Sequence, residues 1–145
     1  SCGGLNESVG LGDLICASTA GTDSAAITQL NRGLSLPSAA HWELLSKAAQ
    51  TAVDSDIPMT VGPVFTSDLF YGPDESLFDN LRELGILGVE MEIAGLYTIA
   101  AVEGIEALAL VTVSDDIIRQ EVMTSAEREN TFDSMIRIAL QVAKT

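Results

Sequence analysis

Asp115 and Arg128 are the residues whose types and placement first suggest chemistry. Both lie in residues 107–128, ALALVTVSDDIIRQEVMTSAER. Residues 107–113 form an apolar run, β-branched near its end, of the kind expected for a strand buried on both faces. The run stops at Ser114-Asp115-Asp116. In open α/β sheets ligands bind in the crevice beyond the carboxyl ends of the strands. Partial desolvation there raises a carboxylate's pKa and can leave it able to donate a proton near neutral pH. Downstream, Thr124-Ser125-Ala126-Glu127 has the pattern of a capping box, so a helix is expected to start there with Arg128 in its first turn. A cation is disfavoured at that end of a helix. An acid at a strand end and a misplaced cation, joined by a short loop, make a candidate catalytic pair.

Residues 88–97, GVEMEIAGLY, hold a second candidate group. Glu90, Met91 and Glu92 fall at an expected strand-to-helix junction, again where such folds bind ligands. A carboxylate with free oxygens accepts hydrogen bonds from a vicinal diol such as a ribose. The plainer reading, a surface edge and an acidic first helical turn, has equal weight on sequence alone.

The elements that must position these residues alternate. Ser1-Cys2-Gly3-Gly4 reads as the turn after a strand whose body lies outside this sequence. Residues 13–18 read as a strand, 19–24 as a polar loop, and 25–35, which lack a period, as further loop. A helix is expected over 37–53, with Pro37 in its first turn and Trp42, Leu45, Ala49 and Val53 on one face. Residues 59–66 read as a strand bent or bulged at Gly62-Pro63. Helix 75–84 ends at Gly85, strand 86–91 leads into helix 92–102 ending near Gly104, and a final helix is expected over 125–143. This alternation predicts an α/β fold, a three-layer sandwich with a mixed central sheet flanked by helices.

Composition narrows the partners. A net charge of −14 argues against nucleic acid and anionic membranes, both of which call for clustered Lys and Arg. Hydrophobic residues make up 47% of a chain of 145, a surplus that points to apolar area buried against another surface. Cys2 and Cys16 form no CxxC, and His41 is the only histidine, which argues against a zinc site or a His-based triad. Two thiols in a mostly apolar chain are expected to be buried and reduced, as suits a cytoplasmic protein. No signal peptide or membrane span is evident.

GVEMEIAGLY, TVSD, SAER, DLFYGPD and the opening SCGG together resemble the hexameric, bacterial-type purine nucleoside phosphorylases of the nucleoside phosphorylase-I family. The resemblance runs over nearly the whole chain, with the motifs in the family's order. It implies that Asp115 is the general acid for purine N7 and Arg128 its partner on closure. Glu92 would accept the ribose diol, Met91 would pack on the sugar, and Glu90 would sit at the same edge. Phe70 and Val89 would wall the purine slot, with Tyr71 a weaker candidate. Ser114 would contact the base side and Ser1 would give one phosphate donor. No metal or organic cofactor is implied; inorganic phosphate is the co-substrate and a purine nucleoside the substrate.

Two departures stand out. The family commonly has His where this chain has Asp116, which is expected to face solvent. The family's N-terminal segment, with its phosphate-gripping arginines, has no counterpart here, so residues 1–145 are expected to be the C-terminal portion of a single phosphorylase domain partnered by that segment and by further copies, six by resemblance. A nucleosidase or uridine phosphorylase on the same fold is the near alternative, although the usual Gln/Arg pair for a uracil edge is not seen. A non-catalytic nucleoside-binding subunit is the alternative of a different class.

Overall fold

The structure, a computed structural model, describes residues 1–69 and 75–144. Its strands are β1 (Cys2–Gly4), β2 (Leu14–Thr22), β3 (Ser38–Ala39), β4 (Thr60–Thr66), β5 (Gly88–Glu90), β6 (Ala109–Asp116) and β7 (Glu121–Val122). Its helices are α1 (Ala25–Leu30), α2 (Trp42–Asp54), α3 (Glu75–Glu83), α4 (Ile93–Glu103), α5 (Ser125–Thr131) and α6 (Asp133–Ala143).

The strands form one mixed sheet in the order β3-β2-β4-β5-β1-β6-β7. β4 lies parallel to both β2 and β5, β1 is parallel to β6, and the β1–β5 pair is antiparallel. The sheet also curls on itself, because Ala109 to Thr112 of β6 pair antiparallel with Leu14 to Ala17 of β2. The expected mixed sheet flanked by helices is therefore present, with its central strands closed into a ring.

Side-chain alternation along the buried strands builds the layers. In β2, Ile15 and Ala17 face a core shared with Ile93, Ala94 and Tyr97 of α4, whereas Leu14 and Cys16 face Ala48 and Ala52 of α2 and Ile138 and Val142 of α6. β6 divides the same way, with Val111 and Val113 on the α4 side and Leu110 on the other. Full burial of a side chain such as Ile15 or Ile138 contributes about 1.5–3 kcal/mol, so both faces of the sheet matter to stability. Tyr97 fastens α4 to the sheet: its hydroxyl donates to Ala17 O at 2.6 Å and accepts from Ala109 N at 3.0 Å. Among the described residues no helix is long and apolar enough to cross a membrane.

Several local expectations are corrected. Residues 2–4 are a strand, not a turn, because β5 and β6 flank them and satisfy their backbone. β2 continues to Thr22, since residues 19–22 pair with 63–66 of β4. The bulge expected at Gly62-Pro63 falls on the partner strand: Ala17 opposes Gly62 and Thr19 opposes Pro63, which leaves Ser18 as the extra residue. Residues 25–30 form a helix capped by Ser24, and with Ile27 its only buried residue there is no stripe to read. Pro37 starts no helix; Ser38 and Ala39 pair with β2, and α2 begins at Trp42. Trp42 and Val53 are 72% and 74% exposed, because the buried face is set by Ala48 and Ala52 instead. The last helix breaks at Phe132, which ends α5 and caps α6. Gly85 and Gly104 do terminate α3 and α4, with φ of 78° and 67°.

Candidate active site

β1 is the strand that assembles the site. Gly3 pairs with Val89 on one side and with Asp115 on the other, so three strands place these residues abreast. The absence of a side chain at Gly3 matters there. A Cβ on it would come within 2.7 Å of Ile117 Cδ1, which folds over this point. An open cleft of about 600 Å³, a usual size for a small-molecule site, lies along these residues. Ser1, Val89, Glu90, Met91, Glu92, Ser114 and Asp115, all candidates from the sequence, line it. Arg128 reaches it through Asp115, whereas Phe70 and Tyr71 fall outside the described residues. Ser67, Phe78 and Ile117, which no motif in the sequence marks, complete the wall together with Leu69.

Asp115 is a strand residue rather than one beyond a strand end, because β6 continues to Asp116. Its backbone pairs with Gly3 and with Val122 across a hairpin, and its side chain is 37% exposed. Ser114 Oγ donates to Asp115 Oδ2 at 2.6 Å, and Arg128 Nη2 approaches Oδ1 at 3.4 Å. The capping box Thr124–Glu127 is present and fixes the start of α5 that presents Arg128. Arg128 Nε is buried with no hydrogen-bond partner among the described residues, so this cation has donor capacity to spare.

The two glutamates differ sharply. Glu90 is buried, and its carboxylate accepts from Thr66 Oγ1, from Glu92 N at 2.6 Å and from Ile93 N at 2.7 Å. Thr66 Oγ1 in turn accepts from Ala94 N at 2.9 Å. Glu90 and Thr66 thus satisfy the first free N–H groups of α4, as any helix start requires. Glu92, the N-cap of that helix, makes no side-chain cap bond and is exposed beside the cleft.

Asp116 is not solvent-facing. Alternation turns it away from Asp115, and it is 3% exposed. Burial acts to raise its pKa, but hydrogen bonds from Arg119 N at 2.8 Å and Nη1 at 2.5 Å outweigh this and hold it below the usual carboxylate value. A depressed folded pKa adds stability that is complete above the unfolded value of about 3.9 and is lost as pH falls through the folded one. Urea titrations of the wild type and Asp116→Asn should therefore show a gap in stability at pH 6 that narrows by pH 3. A gap independent of pH would contradict this account.

Thiol chemistry is disfavoured both at the cleft, where Cys2 lies, and in the core, where Cys16 lies. Cys2 and Cys16 are free and buried, and burial pushes their pKa values up to about 12 and about 11, so neither supplies a thiolate near neutrality. A further grouping of ligand-type residues, which no sequence motif marks, forms among the described residues. His41 Nε2 lies 3.7 Å from Glu106 Oε1, and Glu43 is close enough to share a cation with them. It adjoins the start of β6, whereas the cleft lies at that strand's end.

A family model described as the phosphorylase superfamily matches residues 1–145. The chain belongs to this superfamily. It is similar to the DeoD-type purine nucleoside phosphorylase of Myxococcus xanthus, at 47% identity over 143 residues, 99% of this chain and 60% of that protein. The DeoD-type purine nucleoside phosphorylase of Bacillus subtilis is 44% identical over 144 residues, 97% of this chain and 60% of its own. The DeoD-type 2 protein of Vibrio parahaemolyticus is 41% identical over 143 residues, 99% and 61% respectively. The chain spans about three fifths of the length of these relatives.

Proposed function

We propose that the protein acts as a purine nucleoside phosphorylase, cleaving the N-glycosidic bond of purine (deoxy)ribonucleosides with inorganic phosphate to give free base and (deoxy)ribose 1-phosphate. One observation carries the reading: a single cleft joins an acid with a cation at its back, Asp115 and Arg128, to an exposed carboxylate, Glu92, that makes no cap bond to its helix. The relatives' names agree with it.

Asp115 donates a proton to purine N7, so the electron pair of the breaking C1′–N9 bond leaves on a neutral base. Arg128 then stabilises the carboxylate left behind. Glu92 accepts from the ribose hydroxyls, with Met91 against the sugar and Val89 on the base. Ser114 holds Asp115 in place, Ser1 offers one phosphate donor, and a phosphate oxygen forms the new bond to C1′. Glu90 supports the sugar side from beneath. A phosphate dianion requires several charge-assisted donors, and we assign the others to the part of the relatives' length that this chain does not span. This route calls for no metal and no organic cofactor.

We further assign a homo-oligomer, a hexamer by resemblance. Leu96, Ile99 and Val102 of α4 leave an apolar stripe exposed, as an interface between copies would use. Reduced, buried cysteines suit the cytoplasm. The test is release of hypoxanthine from inosine by the intact protein, with and without phosphate. Strictly phosphate-dependent release is expected. Release without phosphate would replace this reading with a hydrolase.

A further inference from the structure

We propose that the Asp116–Arg119 ion pair is a positioning device for the acid of the cleft, locking the end of β6 and the turn after it so that Asp115 and Ile117 keep their places around Gly3. The inference rests on Asp115 being the acid, as proposed above.

The pair is placed for this work. Asp115 and Asp116 are consecutive strand residues on opposite sides, so whatever fixes one carboxylate fixes the backbone of the other. Asp116 is gripped twice by Arg119, through its backbone N–H and through its guanidinium. The same guanidinium reaches Val9 O at 3.4 Å and Glu7 O at 3.5 Å, in the segment between β1 and β2. That segment is itself stitched to β6, since Val113 N donates to Asp13 O and Gly12 N to Val113 O, both at 2.9 Å. Ile117 N donates to Gly4 O at 3.1 Å, carrying the lock across to β1. Arg119 thus ties the end of β6, its turn and the β1–β2 connection into one unit behind the cleft.

The turn has reason to need a lock. Gln120 closes it with φ of 55°, a conformation that side chains with a Cβ rarely adopt. The turn sends the chain back as β7, whose Val122 pairs with Asp115.

The test separates positioning from simple support. Inosine needs a proton at N7 to release its base, whereas 7-methylinosine already carries the positive charge and needs none. The readout is the ratio of kcat/KM for 7-methylinosine to that for inosine, measured on one preparation so that any unfolded fraction cancels. Asp115→Asn should raise this ratio most. Arg119→Gln and Asp116→Asn should raise it roughly tenfold, chiefly through kcat on inosine, because small misplacements of a catalytic group are costly. Arg119→Lys should recover part of the loss by keeping the charge.

Arg119 is 45% exposed, so its variants keep the test sound where Asp116→Asn folds poorly. If Asp115→Asn raises the ratio while the Arg119 variants lower both substrates alike, the positioning role is overturned and the functional reading stands. If Asp115→Asn leaves the ratio unchanged, Asp115 is not the acid and both fall.

Discussion

Asp115→Asn is expected to lower turnover of inosine by roughly 10³-fold, within the range of about 10²–10⁴ that a positioned general acid contributes. That loss corresponds to about 4 kcal/mol of transition-state stabilisation. Stability should move by no more than about 1 kcal/mol, since the pair with Arg128 is long at 3.4 Å and both partners are more than a third exposed. The amide is nearly isosteric, and its oxygen can still accept from Ser114 Oγ. The strand pairing at Asp115 uses backbone groups that the substitution leaves alone. Chemistry and folding should therefore separate cleanly. Steady-state rates on inosine, paired with urea unfolding, would show it. A variant that keeps full activity on inosine would remove Asp115 from the mechanism, and one that loses activity only by unfolding would make its role structural.

What the sequence made legible was local. The capping box needs only Thr124 and Glu127, three residues apart, and it forms as read. The apolar run before Asp115 is a strand buried on both faces, because such strands carry no polar alternation. The mixed sheet flanked by helices followed from the alternation of such segments. The failures are contacts between distant segments. Cys2, Gly3 and Gly4 look like a turn because nothing near them in sequence pairs their backbone; residues 88–89 and 113–116 do so in space. The burial of Asp116 depends on a turn that returns Arg119 to it and on backbone carbonyls of Val9 and Glu7, none of which a linear pattern encodes. The candidates Glu92 and Asp115 sit in separate motifs, and their meeting in one cleft is a property of β1 inserted between β5 and β6. For the cleft, then, the sequence supplied residue types, and topology supplied the site.

Glu90 and Glu92 provide the second large effect, because two acids two residues apart should fail in opposite ways. Glu90→Ala is expected to cost roughly 3 kcal/mol or more of stability, since hydrogen bonds to a charged group contribute about 1.5–3 kcal/mol each and buried donors left unmatched carry a full desolvation penalty. The donors are the N–H groups of Glu92 and Ile93 together with the Thr66 hydroxyl, all at the start of α4. Glu92→Ala removes a side chain that is exposed and bonds no N–H of its helix, so its stability cost should stay within about 1 kcal/mol, the scale of a charge near a helix N-terminus. Its effect should fall on the substrate. Under the proposed function, in which Glu92 accepts from the ribose hydroxyls, its loss is expected to raise KM for inosine by roughly tenfold or more. Denaturant midpoints and KM values for both variants decide the matter. Should Glu90→Ala fold normally and lose affinity, Glu90 rather than Glu92 would be the ribose acceptor. The bonds drawn from α4 to Glu90 would then be dispensable, which the count of buried donors at that helix start argues against.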